Sequence, residues 1–138
     1  MIGILLITHG DFAKGLKNST ELIIGQNDKF ETMGLYHGDS IDEFGEKVLE
    51  SIIELDSGDG TLVFSDLYCA SPFNVTATNS KNLKEHNYRS ISGVNLPMLI
   101  EALTMRDNMD LDEITDHVMN CGKEGIKELF KEIGSKIK

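Results

Sequence analysis

Apolar positions along the chain fall into two rhythms that take turns. Residues 1–8 (MIGILLIT) are continuously apolar and rich in β-branched side chains, as a strand covered on both faces requires. Phe12, Leu16, Ser19 and Ile23 then recur at helical spacing, and Gly25 follows where a helix stop belongs. Residues 30–36 (FETMGLY) predict a second, weaker strand. The run Ser40-Ile41-Asp42-Glu43 is a capping box, in which serine and glutamate satisfy each other's end amides. It opens a helix with Ile41, Phe44, Val48, Ile52 and Leu55 on its apolar face. Residues 61–66 (TLVFSD) give a third strand. Ser71 and Pro72 suit a helix start, with serine as cap and proline in the first turn, and this helix is expected to run to about His86. Residues 88–94 (YRSISGV) read as a fourth strand, and Asn95 caps a helix carrying Leu96, Leu99, Ile100 and Leu103. From Leu111 onward the pattern is helical.

Strands and helices that alternate four times, joined by right-handed crossovers, build a parallel sheet with helices on both faces. The predicted class is therefore α/β: a doubly wound, mainly parallel sheet of four strands flanked by helices. No Pro/Ser-rich linker, low-complexity tract or internal repeat interrupts the 138 residues, so one domain over residues 1–138 is expected. A domain of that length buries roughly 68% of the surface of its unfolded chain and needs no covalent staple. Cys69 and Cys121 lie far apart in a chain without a signal peptide, which predicts free thiols and a cytoplasmic setting. The longest apolar run, Ile2 to Ile7, is far shorter than the ~20 residues of a membrane span, so the protein is expected to be soluble. A net charge of −10 opposes binding to nucleic acid. Lys127, Lys131, Lys136 and Lys138 interleave with Glu128 and Glu132, as on an ordinary solvated helix face.

In doubly wound sheets ligands bind beyond the carboxyl ends of the strands, where strand order reverses, commonly between the first and third strands. His9 ends the first strand and Asp66 ends the third. A neutral imidazole has one bare nitrogen able to attack an electrophile, and a carboxylate that accepts the other N–H fixes the tautomer and stabilises the cation formed. The start of the third helix adds open amides that favour an anion. These types of residue suit a phosphorylated histidine better than a hydrolase, since no second acid or base is evident. His9 is the candidate nucleophile, Asp66 its orienter, and Thr8, Gly10, Ala70 and Ser71 the candidate phosphate-binding set; no metal and no cofactor is predicted. Each residue also has a plain structural reading, as a loop histidine, a loop-capping acid or a helix cap, but their joint placement at strand ends favours the chemistry. His37, His86 and His117 sit in polar surroundings and read as surface histidines without metal-site spacing. Met98, Met105 and Met109 read as core filler or interface, and Cys69 has no neighbouring positive charge in sequence to make its thiolate reactive.

Three stretches, ITHGDFAKG (7–15), FSDLYCASPFN (64–74) and SGVNLPML (92–99), stand in the order and approximate spacing found in the IIA components of mannose-type sugar phosphotransferase systems. The chain resembles this mannose/fructose/sorbose family over nearly its whole length. The resemblance implies a phosphotransferase with a phosphohistidine intermediate: His9 accepts phosphate from the carrier protein HPr and passes it to a IIB component, which phosphorylates incoming sugar. Membrane IIC and IID components are then engaged only indirectly. It also implies that Asp66 pairs with the His9 ring and that Ser71 helps hold the phosphoryl group. It implies a homodimer that exchanges a fifth, antiparallel edge strand, falling around residues 122–130, where the periodicity instead reads as helix. The chain ends at Lys138 without the fused IIB domain of some relatives, so a separate IIB partner is expected. One departure stands out. Where the family has an aromatic residue and two glycines before SPFN, this chain has Tyr68, Cys69 and Ala70, which are strained if either of the last two takes a positive φ.

Three rival readings carry less weight. Histidine phosphatases resemble Arg-His-Gly at the end of their first strand, with further arginines, whereas Thr8 precedes His9 here and the only arginines are Arg89 and Arg106. The phosphoryl-carrier subunit of a phosphotransferase-dependent dihydroxyacetone kinase is similar in fold and strand-end histidine, but SPFN and GVNLPML speak for the sugar system. A non-catalytic module of the same fold is the third.

Overall fold

The structure is a computed structural model that describes residues 1–137. Of the charged tail, Lys138 and the side chain of Lys136 lie outside the described residues. The chain runs β1 (Gly3–His9), α1 (Phe12–Ile24), β2 (Phe30–Leu35), α2 (Ile41–Leu55), β3 (Thr61–Ser65), α3 (Ser71–Thr78), a 3₁₀ turn (Asn79–Asn82), β4 (Tyr88–Ile91), α4 (Leu96–Met105), α5 (Leu111–Glu124) and α6 (Leu129–Ile137). Among the described residues the sheet has four strands, all parallel, in the order β2-β1-β3-β4. Strand order thus reverses between β1 and β3, as the alternation predicts.

The unbroken apolar run of β1 explains its central place. Ile4, Leu5, Leu6 and Ile7 are all fully buried, and strand geometry sends them alternately to opposite faces. Ile4 and Leu6 meet Ala13 and Leu16 of α1, Leu99 and Ala102 of α4, and Ile114 and Val118 of α5. Leu5 and Ile7 meet Val48 and Ile52 of α2 and Val75 of α3. Each such side chain contributes about 1.5–3 kcal/mol, so the centre of the sheet is its least deformable part. Arg106, itself buried, ties the end of α4 to β1 and to the turn before β2 by donating to the carbonyls of Ile2, Asp28 and Lys29 at 3.2, 2.6 and 3.3 Å.

Several expectations are corrected. The buried stripe of α1 is Ala13, Leu16 and Thr20; Phe12 and Ile23 are exposed, because the sheet accepts the narrow face that carries the small residues. Ile41 is likewise exposed, although Ser40 accepts from the Glu43 amide as the capping box requires. The third helix stops at Thr78 rather than near His86. There Thr76 and Thr78 spend their hydroxyls on the carbonyls of Phe73 and Asn74, and the buried Asn79 amide reaches across to Gly45 O at 2.9 Å, so the chain tightens into a 3₁₀ turn. β4 stops at Ile91, short of Val94, because Gly93 (φ +74) turns the chain and the Val94 amide donates to Ser65 O, over the end of β3. Residues 122–130 hold no fifth strand; they are the end of α5, a short link and the start of α6, as the periodicity reads. Met98 is buried and Met109 packs on the same core. Among the described residues, no helix is long and apolar enough to cross a membrane.

Candidate functional site

The turn after β1 is built by short-range bonds. Thr8 is buried, and its hydroxyl accepts from the Ala13 amide at 2.8 Å, capping α1 in place of Asp11, whose side chain makes no cap bond. The same hydroxyl donates to His9 O at 3.3 Å. Thr8 therefore braces the turn with both its hydrogen-bonding functions and presents neither to an incoming phosphate. Gly10 takes the left-handed conformation (φ +54) that the turn needs, and its amide donates to Leu35 O at 2.8 Å. Gly34 on β2 lies so close beneath that a Cβ there would sit 2.3 Å from Gly10 O. Tyr36 closes the bracket: its hydroxyl donates to Asp11 at 2.5 Å, and that bond, chiefly, holds the phenol above its usual pKa.

Across the switch point, Ser65 pairs with Ile7 in register, which brings Asp66 beside His9. One carboxylate oxygen, Asp66 Oδ2, accepts from His9 Nδ1 at 2.8 Å and from the His9 amide at 3.0 Å. Burial pulls the Asp66 carboxyl upward, but the His9 amide and ring outweigh it and leave the group below its usual range. The ionised carboxylate accepts, so Nδ1 carries a proton, and in the neutral ring it is Nε2 that has the lone pair. The His9 side chain is 49% exposed while Asp66 is only 15% exposed. A half-exposed ring is steered from below by a largely covered acid.

α3 leaves this corner with its N-terminus open. Its cap is Ala70, with extended backbone and no side-chain bond, so Ser71 is the first helical residue and not the cap the sequence suggested. The bond from the Asn74 amide to Ala70 O starts the helix, and the Asn74 side chain donates to Cys69 O at 3.0 Å. Pro72 has no N–H, which leaves the Ser71 and Phe73 amides as the open donors of the first turn. The Ser71 hydroxyl makes no hydrogen bond among the described residues, and neither Ser71 nor Ala70 is bonded to His9 or Asp66. Cys69 takes φ +62, and Ala70 does not. The strain raised by the missing glycines therefore falls on Cys69. Leu67 and Tyr68 are exposed on the same loop, Tyr68 stacks obliquely on Phe73 at 5.2 Å, and exposed Phe12 follows the His9 turn. The site has an apolar rim.

Two histidines read as surface residues have partners instead. His86 Nδ1 lies 3.0 Å from Asp56 Oδ2, below the far end of the sheet, where Asp56 also accepts from the Gly58 and Gly60 amides. His117 lies 2.7 Å from Glu101 and 3.7 Å from Cys121 Sγ. The spacing of His117 and Cys121, one helical turn apart, was the available signal; Glu101 comes from another helix and leaves no trace in the local pattern.

Comparison with known proteins adds an independent line. Residues 3–119 match the model of a family described as PTS system fructose IIA component. The chain is 33% identical over 129 residues to the PTS system mannose-specific EIIAB component of Escherichia coli (strain K12), covering 93% of this chain but 39% of that protein. It thus spans about two fifths of that relative's length. It is 26% identical over 127 residues to the PTS system fructose-specific EIIA component of Bacillus subtilis (strain 168), covering 92% and 86% of the two chains. Among solved structures, the phosphotransferase system component EIIA from Streptococcus agalactiae superposes with a TM-score of 0.86 at 30% identity, covering 93% of this chain and 97% of that one. The PTS IIA protein associated with the fucose utilization operon from Streptococcus pneumoniae gives 0.79 at 31% identity, with 95% of each chain covered.

Proposed function

Since the chain belongs to the PTS fructose/mannose IIA family of sugar uptake, we propose that it is a phosphoryl carrier that takes phosphate from phospho-HPr onto His9 Nε2 and yields it to a separate IIB component. The observation that carries this reading is the pair of hydrogen bonds that Asp66 Oδ2 accepts from the His9 ring and amide. It leaves Nε2 basic, exposed and fixed in direction, which is what an in-line attack on phosphorus requires. The Nε2 lone pair forms the new P–N bond, the donor departs with the electrons of the bond that breaks, and the ring becomes a phosphoimidazolium whose Nδ1–H faces the Asp66 carboxylate. The second transfer reverses these steps.

The phosphoryl group brings about two negative charges to an acidic protein. The Ser71 and Phe73 amides, the free Ser71 hydroxyl and the positive end of α3 are suited to offset them. The turn amide of Gly10 is committed to Leu35 O, so Gly10 serves by shape. The apolar rim of Phe12, Leu67 and Tyr68 favours a protein donor and acceptor over a small ester. A homodimer belongs to the same proposal, supported by the exposed apolar side chains of Ile126, Leu129 and Phe130 at the end of the chain.

The test is to incubate the protein with labelled phosphoenolpyruvate, enzyme I and HPr. Acid-labile, alkali-stable label on the wild type and none on His9→Gln is expected. Discharge of that label by a IIB protein, rather than by a nucleotide-bound kinase subunit, separates the sugar system from the dihydroxyacetone kinase alternative. Absence of label on the wild type would leave only a non-catalytic module of the same fold.

A further inference from the structure

A second cluster of chemically capable side chains lies between α4 and α5, away from His9. His117 and Cys121 stand one turn apart on α5 and share a face. Glu101 of α4 meets them there. His117 Nε2 is 2.7 Å from Glu101 Oε1 and 3.7 Å from Cys121 Sγ, and the three donor atoms all lie within 4.8 Å of one another. All three residues are partly buried. A single ring nitrogen that faces both a carboxylate and a sulfur cannot serve both as a donor in good geometry. The three atoms border one small space between the helices.

We propose that Glu101, His117 and Cys121 form a binding site for a zinc-class divalent cation, which clamps α5 to α4. In tetrahedral zinc sites, metal–ligand lengths of about 2.0 Å for nitrogen and oxygen and about 2.3 Å for sulfur place the ligand atoms roughly 3.3–3.6 Å apart. The nitrogen–sulfur separation of 3.7 Å is already close to this, and the nitrogen–oxygen pair, at 2.7 Å, opens by roughly 0.6 Å as a hydrogen bond is exchanged for two coordinate bonds. One nitrogen, one sulfur and one carboxylate oxygen select zinc or cobalt over magnesium or calcium, which take oxygen ligands. The fourth position is left for water.

The surroundings favour a cation. The carboxylates of Glu101 and Glu124 lie close enough to the Cys121 sulfur to act on it electrostatically, so the site carries negative potential. The binding step is balanced: the thiol gives its proton to solvent as the sulfur–metal bond forms. The helices that supply the ligands are firmly seated. Asn95 Nδ2 donates to Gly122 O at 3.0 Å, and a Cβ on Gly122 would come within 2.4 Å of Met98 Cε, so α4 and α5 are in close contact beside the cluster. Pre-set ligands on rigid elements lower the ordering cost of binding. α5 leads directly into the exposed 126–130 segment, so a bound cation would steady the base from which that segment leaves.

The test is a titration of the full chain, stripped with chelator, with Co²⁺. One equivalent is expected to bind and give a thiolate-to-cobalt charge-transfer band in the near ultraviolet. Zn²⁺ displaces it and Mg²⁺ does not, and Zn²⁺ raises Tm by several degrees. The band is expected to survive Cys69→Ser and His9→Gln, to vanish in Cys121→Ser, and in the conservative Glu101→Gln to persist with affinity reduced about tenfold or more. Absence of a band, its survival in Cys121→Ser, or its loss in Cys69→Ser would overturn the proposal. Because His9→Gln abolishes phosphorylation but not cobalt binding, failure here and failure of the carrier reading are distinguishable.

Discussion

Replacing Asp66 by asparagine keeps the shape of the side chain and removes its charge. In the wild type, Oδ2 serves the His9 amide and ring together, while Oδ1 is buried without a protein partner among the described residues. Asparagine cannot reproduce this. If its carbonyl takes the Oδ2 position, its NH₂ occupies the buried Oδ1 position as an unsatisfied donor, at a cost of about 1–3 kcal/mol. If its NH₂ takes the Oδ2 position, it opposes the His9 amide and drives the ring proton to Nε2, removing the nucleophile. Under the carrier proposal, the phosphoimidazolium would lose its counter-charge in both arrangements. Unit charges 2.8 Å apart are worth about 1.5 kcal/mol at the permittivity of water and about 6 at an effective value of 20. The pair lies between these limits, because the ring is half-exposed and the acid mostly covered. A middle value of about 3 kcal/mol corresponds to a roughly hundredfold slower phosphoryl acceptance. Rapid-quench measurement of single-turnover transfer from phospho-HPr reads this directly, with a thermal melt to show that the variant is folded. A folded Asp66→Asn protein within about threefold of the wild-type rate would refute the assignment of Asp66 as the orienting group.

Cys69→Gly relieves a left-handed residue, worth about 1–2 kcal/mol, and gives back about 0.4–1 kcal/mol in unfolded-chain entropy, so the urea midpoint is expected to rise modestly; a fall would show that φ +62 carries no strain. Gly34→Ala forces a Cβ against Gly10 O and is expected to cost about 1–3 kcal/mol and to slow phosphorylation through the His9 turn; unchanged melting and transfer would show that the two strands part without cost. Burial pulls the Asp56 carboxyl upward, but bonds from the Gly58 and Gly60 amides and from His86 leave it below its usual range. Its contribution to stability is therefore complete above the ordinary carboxylate pKa, about 3.9, and is lost as pH falls through the lower folded value. Asp56→Asn is expected to flatten the acid limb of the stability curve, and an unaltered limb below pH ~4 would exclude Asp56 as a source of it.

The parts of the fold legible in sequence are those where pattern and packing coincide. β1 is apolar at every position from Ile4 to Ile7 because both its faces are covered, and a run of that kind belongs in the interior of the sheet. The place of Asp66 beside His9 was legible for the same reason, since it follows a fully buried strand. α1 shows the limit: the large side chains Phe12 and Ile23 dominate its sequence pattern, while the sheet buries Ala13 and Thr20. Side-chain volume and burial part company wherever a helix must lie close to a strand. The extent of α3 was not legible, because its end is decided by the long-range bond from Asn79 to Gly45. The bond from the Ala13 amide to the Thr8 hydroxyl, five residues apart across the turn, was hidden too. Glu101 met His117 only through the packing of α4 on α5.

A ring with its inner nitrogen tied to Asp66 has only its outer nitrogen to offer. Under the carrier proposal, whatever brings phosphate and whatever takes it away need the same spot from the same direction. They cannot visit together. Throughput would then depend on how quickly one visitor leaves, and a grip strong enough to retain either would stall the other, so weak, brief encounters are the working condition of such a corner.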